Sequence, residues 1–221
     1  MIRESARAPR RPSRRRLLQS GLAAGAAILA RPALALVPTP RQSTGPFYPE
    51  RLPLDSDNDL VVVGGSNARP AGVLTHVFGR VLAEDGQPVA GARVEIWQCD
   101  AQGRYHHPQA GGGADPNFQG YGQTSTVADG AYRFRTIRPV AYPGRAPHIH
   151  FAVSGAGFAR LVTQMYVAGE PRNETDWLLK AVRDEDARRS LVVALAPAPE
   201  IEANSLKGQF DIVLGRALFG G

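Results

Sequence analysis

Short apolar segments divided by Gly-, Pro- and Asp-bearing turns, with little of helical period between them, restrict this chain to an all-β fold. Ala92–Trp97 alternates strictly, and so does Ala131–Thr136 after the turn Asp129-Gly130; that is the period of a half-buried strand. His76–Ala83 is β-branched and apolar and ends at Glu84-Asp85-Gly86. Residues 148–153, 161–167, 191–195 and 210–214 are further strand candidates, and Val61–Val63 is a short one. Only Thr175–Arg189 reads as helix, with Asp176 near its start and arginines at its end. Trp177 is expected to pack that helix. Many short strands with turns between them indicate a sandwich or a barrel.

The first 35 residues are expected to lie outside the fold. Ser13-Arg14-Arg15-Arg16-Leu17-Leu18-Gln19 has the form of a twin-arginine export signal, an Ala/Gly-rich apolar stretch follows, and Ala33-Leu34-Ala35 offers a cleavage site. The stretch is too short and too rich in small residues for a good membrane span, so no stable membrane insertion is expected after cleavage. Removing this leader changes the charge balance. The chain carries 26 Lys and Arg against 20 Asp and Glu, and the leader holds eight of the arginines and one acid, leaving 18 against 19. A basic face for nucleic acid is therefore not expected. Residues 36–74, rich in Pro, Gly and Asp, read as an extended arm, and residues 75–221 as one catalytic β domain. Cys99 is the only cysteine; it excludes an intrachain disulfide and reads as a small buried residue. Export implies a periplasmic or extracellular location, and exposed sheet edges together with the arm make a homo-oligomer plausible.

Chemistry concentrates in a 46-residue window holding Tyr105, Tyr142, His148 and His150. The two histidines stand as His-Ile-His in an apolar run. On a strand, residues i and i+2 share a face, so both imidazoles can reach one metal while Ile149 packs the other way. On spacing alone, a pair of strand histidines without a metal is an equal reading. Two phenols narrow the choice: with an unperturbed pKa of about 10, a phenol stays deprotonated at neutral pH only on a strongly Lewis-acidic ion such as Fe(III). Zinc sites take Cys, His or carboxylate instead.

The words around these residues resemble the intradiol ring-cleavage dioxygenases. They are Thr44-Gly45-Pro46-Phe47-Tyr48, Gly79-Arg80-Val81-Leu82, Pro88–Gln98, Gly103-Arg104-Tyr105, Asn117–Gly122, Tyr132–Pro139 and Tyr142–Phe151, in order over most of the chain. The resemblance is nearer to the protocatechuate than to the catechol type, because no long helical N-terminal segment is present. It implies a β-sandwich of mostly antiparallel strands with long loops and one short helix. It also implies a mononuclear non-haem Fe(III) on Tyr105, Tyr142, His148 and His150. The substrates would be a catechol-type small molecule and O2, and the product a cis,cis-muconate. Tyr142 would leave the metal and take a substrate proton. Arg145, permanently cationic, would stabilise developing negative charge. Gln164, Trp97, Gly45 and Pro46 would border the substrate.

Two positions depart from the family pattern: Tyr142-Pro143-Gly144 stands where several members have Tyr-Pro-Trp, and Gln123 where many have Arg. His106 and His107 read as loop residues. Two other readings are a non-catalytic β-sandwich binding module and a cupin using His148 and His150. The cupin lacks its Glu, since Phe151–Gly155 contains none.

Overall fold

The computed structural model describes residues 35–53 and 55–220; residues 1–34 of the expected leader lie outside the described residues. The fold is a sandwich of two five-stranded sheets. In the first, β1 (Leu74–Ala83) pairs antiparallel with β4 (Ala131–Ile137) and parallel with β9 (Leu206–Gln209) and β10 (Ile212–Leu214); β8 (Ala196–Pro197) borders β9. In the second, the order is β3 (Tyr121–Ser125), β2 (Arg93–Trp97), β5 (His148–Gly155), β6 (Phe158–Val167) and β7 (Val192–Val193). Antiparallel pairs predominate, but β1–β9, β1–β10 and β6–β7 are parallel, so both sheets are mixed. Local pattern sets which face of a strand is buried and says little of which neighbour it takes.

Alternation places Val94 and Ile96 of β2, Ile149, Phe151 and Val153 of β5, and Val77, Val81, Tyr132 and Phe134 of the facing sheet in one core between the layers. Phe151 is fully buried there, which contributes about 1.5–3 kcal/mol relative to exposure. Strict alternation marks β2 as a half-buried strand, yet β2 and β5 are buried on both sides. The arm covers it. Thr39 N–H donates to the Val213 carbonyl and Gln42 N–H to Val162, so the arm crosses from the first sheet onto the outer face of the second. A separate aromatic cluster forms beneath it, with Trp97, Cys99, Tyr105, Tyr121, Ala152 and Val162 at its centre and Phe47, Tyr48 and Tyr142 packed against them.

Three local expectations are corrected. Val61–Val63 is not a strand: Val61 lies in a turn, Val62 and Val63 are irregular, and the bridge to the sheet is made instead by Asp59 with Arg135. The single helix over 175–189 is two, α1 (Trp177–Lys180) and α2 (Glu185–Ser190). Asp184 is extended and its side chain accepts from Ala187 N–H, so it starts a new helix where the reading continued the old one. Trp177 does not pack the helix; it is 62% exposed. Among the described residues no helix is long and apolar enough to cross a membrane.

The later part of the arm is tied down electrostatically. Arg135 Nη2 lies 2.7 Å from Glu202, its Nη1 lies 3.1 Å from Asp59, and Arg69 reaches Glu202 at 3.1 Å. Hydrogen bonding to Arg135, aided by Arg69, lowers the Glu202 pKa from 4.5 to about 2. A depressed carboxylate stabilises the fold above its unfolded pKa, and that stability fades as pH falls from about 4.5 to about 2. Glu202→Gln is expected to flatten the fall of the urea midpoint over that acid window and to lower the midpoint itself near pH 6. A variant with the parent's acid profile would remove Glu202 from this role.

Candidate active site

β5 enters its sheet through the turn Tyr142–Ala146, where Arg145 N–H donates to the Tyr142 carbonyl. His148 and His150 then project from the outer face, His150 in register with Trp97 on β2 and Gln164 on β6, and His148 with Tyr166. Both imidazoles are 1% exposed. His148 Nδ1 lies 2.6 Å from the Ala146 carbonyl. A carbonyl only accepts, so Nδ1 carries the proton and Nε2 of the neutral ring carries the lone pair. Burial, reinforced by Arg145, lowers the His148 pKa to about 4, and burial with the neighbouring His148 and Arg145 charges lowers that of His150 well below its ordinary value. Two neutral rings therefore turn their Nε2 atoms to one point, 3.2 Å apart. His150 is fixed from behind by Trp97, stacked at 4.8 Å with 7° between the planes.

Tyr105 comes from the long loop after β2, which Asp100 shapes by accepting from the backbone N–H groups of Gln102, Arg104 and Asp115. Its ring stacks on Phe47 of the arm at 4.6 Å and meets Tyr142 edge-on at 5.8 Å. Its hydroxyl is buried with no hydrogen-bond partner, and burial raises its pKa well above 10. An orphaned buried hydroxyl carries a cost of about 1–3 kcal/mol. Tyr142 differs: it is partly exposed, and Arg145 Nη1 lies 3.4 Å from its hydroxyl. Burial raises its pKa while the Arg145 charge and hydrogen bond oppose the rise.

Arg145 is 8% exposed. Its Nε donates to Asp176 at 2.8 Å, Nη2 to Gln164 Oε1 at 2.5 Å and to Tyr166 Oη at 3.2 Å, and Nη1 lies 3.5 Å from His148 Nε2. Gln164 Nε2 in turn donates to the Ser43 carbonyl. Glu95 behind Trp97 accepts from both Tyr48 and Tyr121, each at 2.7 Å, and so pins the arm on the sheet. A cavity of about 220 Å³ adjoins Tyr105 and Trp97 and is walled by Phe47, Phe118 and Tyr121.

Pro46 follows Gly45 in the turn above His150. Gly45 has φ +70°, and a Cβ there would stand 3.3 Å from His150 Cε1. Gly45→Ala would strain the backbone by about 1–2 kcal/mol, a melting-temperature loss of roughly 2–8 °C, and press on His150. Displacement of a reacting group by ~1 Å costs up to ~100-fold in rate, so kcat/KM is expected to fall about 10- to 100-fold. Unchanged kinetics would show that the arm has slack above the site.

The remaining residues noted in the sequence are not among the four converging side chains, although Cys99 lies in the same aromatic cluster as Tyr105. His106 Nε2 meets the Asp115 carbonyl, and His107 Nδ1 accepts from Gln109 N–H, capping a turn of 3-10 helix. Gln123 on β3 donates to Ser56. Cys99 is buried, which pushes its thiol up to about 11. Gln42, Tyr166 and Asp176, all bonded into the Arg145 network, were not singled out from sequence; only Asp176 had a local sign there, as a helix cap.

Residues 43–216 match the family model described as Dioxygenase. The beta chain of protocatechuate 3,4-dioxygenase from Burkholderia cepacia is 40% identical over 194 residues, covering 83% of this chain and 82% of that one. Catechol 1,2-dioxygenase 2 from Acinetobacter lwoffii is 32% identical over 177 residues, 69% of this chain and 62% of the other. Among solved structures, the dioxygenase domain of a dioxygenase carbohydrate-binding protein fusion from Streptomyces sp. SirexAA-E matches with a TM-score of 0.64 at 34% identity, covering 81% of this chain and 99% of that domain. Catechol 1,2-dioxygenase from Acinetobacter sp. ADP1 matches with a TM-score of 0.60 at 30% identity, covering 80% and 63%. The chain thus spans less than two thirds of the length of these two catechol dioxygenases. The sandwich and its relatives define a ring-cleaving oxygenase of the intradiol class, and the chain belongs to this dioxygenase family.

Proposed function

We propose that this chain opens a catechol-type ring between its two hydroxylated carbons, with O2 and a mononuclear non-haem Fe(III), to give a cis,cis-muconate-type product. The observation that carries the reading is the convergence of two neutral, buried imidazoles 3.2 Å apart beside the partnerless hydroxyl of Tyr105. An imidazole pair suits several transition metals, and phenolate oxygens beside it favour a strongly Lewis-acidic one. Among the described residues no group of three or more His, Cys, Asp or Glu side chains offers a rival metal site. Tyr105, Tyr142, His148 and His150 would hold the ion, which when bound supplies the Lewis acidity that keeps a catechol deprotonated and its ring reactive toward O2.

The chain's own residues do the rest. Tyr142, partly exposed and hydrogen-bonded by Arg145, accepts a substrate proton at its phenolate oxygen. Arg145 keeps its Nη1 at the edge between Tyr142 and His148, where it stabilises negative charge that develops on the substrate. Gln164 orients Arg145 and ties the arm through the Ser43 carbonyl, which holds Gly45 over His150, while Pro46 beside it is exposed. Gly144 is exposed, and a Cβ there would meet nothing within 4 Å. The side on which several family members carry an aromatic residue is therefore open, and ring substituents are expected to be tolerated there. The leader makes the enzyme an exported one in this reading.

The test is a visible spectrum of the purified, iron-loaded protein with catechol, protocatechuate and hydroxyquinol in turn, first without oxygen. A tyrosinate-to-Fe(III) band should move to longer wavelength with the productive substrate and bleach when O2 is admitted. A protein that stays colourless after iron reconstitution would leave the non-catalytic binding module as the better reading.

A further inference from the structure

Asp176 stands at the start of α1, away from the four metal-facing side chains, and its carboxylate is fully buried. It has four donors. Leu178 N–H and Leu179 N–H reach Oδ1 at 3.1 Å each, while Arg145 Nε at 2.8 Å and Ala146 N–H at 2.9 Å reach Oδ2. Burial alone would raise its pKa; Arg145 and the backbone N–H groups more than offset this, and the carboxyl lies below its ordinary value.

Helix capping accounts for only half of these contacts. A cap needs one acceptor oxygen, and Oδ1 supplies it. Oδ2 faces a different segment, the turn that delivers β5. A guanidinium is a planar fork whose N–H directions are fixed relative to one another. With Nε held by Asp176 and Nη2 by Gln164 and Tyr166, Nη1 has one direction left, toward Tyr142 Oη at 3.4 Å and His148 Nε2 at 3.5 Å. We propose that Asp176 is a positioning residue for ring cleavage: its Oδ2 grips Arg145 Nε and Ala146 N–H and so aims Nη1 of Arg145 at the Tyr142–His148 edge of the site. This rests on the ring-cleavage function.

Asp176→Asn separates the two roles. Asparagine is as good a helix cap as aspartate, but an amide has a single acceptor oxygen; with that oxygen on the Leu178 and Leu179 N–H groups, its NH2 faces Arg145 Nε and Ala146 N–H and can accept from neither. Two readouts are needed. In the metal-free protein, the Arg145 Nε–H resonance, assigned by its loss in Arg145→Gln, should be protected from solvent exchange in the parent and exchange rapidly in Asp176→Asn. In the iron-loaded protein, kcat should fall about 10- to 100-fold, the range for loss of a residue that orients a group at a metal centre. The Arg145→Gln/Asp176→Asn double variant should be no slower than Arg145→Gln alone, because both changes remove one interaction.

Retained Nε–H protection in Asp176→Asn would overturn the proposal, as would losses that multiply in the double variant. If Asp176→Asn fails to fold with an unpaired buried guanidinium, the double variant, which carries neither charge, still gives the comparison with Arg145→Gln. A parent that is colourless and inactive would sink the function and this proposal together. An active parent with an unchanged Nε–H resonance in Asp176→Asn would sink the proposal alone.

Discussion

His150→Ala is expected to reduce bound iron and the visible band to background and to abolish ring cleavage. The activity loss should exceed the ~100-fold that follows removal of an outer partner of a metal ligand. The imidazole is held between Trp97, stacked at 4.8 Å, and the Nε2 of His148 at 3.2 Å, and no other imidazole, carboxylate or thiolate among the described residues completes such a site. The fold should survive. β5 is paired through its backbone with β2 on one side and β6 on the other, and its core contacts come from Ile149, Phe151 and Val153 on the opposite face. Far-UV circular dichroism matching the parent, with iron at background, is the predicted pair of results. A variant that binds iron and keeps its colour would take His150 out of the ligand set.

The same strand shows how far the fold can be read from residues alone. Its alternation, the turn that precedes it and the separation of His148 and His150 from Ile149 are all local, and each follows from a period of two. Burial of its second face is not local. It depends on Gln42 N–H reaching Val162 and on Tyr48 reaching Glu95, contacts spanning 120 and 47 positions of chain, made by an arm with no periodicity to mark it. The parallel pairings of β1 with β9 and β10 are equally nonlocal. Asp184 has a local signature, an acid three residues before Ala187, but the apolar spacing from Leu178 to Ala187 runs across it and reads as one helix. Asp176 is the sharpest case. Its role as a cap is written beside it, whereas its grip on Arg145 joins residues 31 positions apart and becomes visible only when the turn before β5 is packed against α1.

The two phenols should respond differently to the same substitution. Tyr105 is 4% exposed and enclosed by Phe47, and its hydroxyl makes no hydrogen bond of good geometry, with Tyr142 as its polar neighbour, so a bound ion would be its principal partner. Tyr142 is partly exposed, lies on a turn, and has an alternative partner in Arg145 Nη1 at 3.4 Å. With a metal bound, that partner would let the phenolate part from the ion without being left unpaired. Tyr142→Phe is therefore expected to keep most of the iron and part of the band, while kcat falls by about 10²–10⁴, the contribution of a positioned proton acceptor. Its residual rate should climb with pH, because solvent base then does what the phenolate did. Tyr105→Phe should instead lose iron. Iron content, the spectrum with catechol under anaerobic conditions and the pH–rate profile of both variants decide the matter. If Tyr142→Phe turns over like the parent, or if Tyr105→Phe is the variant that keeps its iron while losing kcat, the assignment of the two phenols is wrong or reversed.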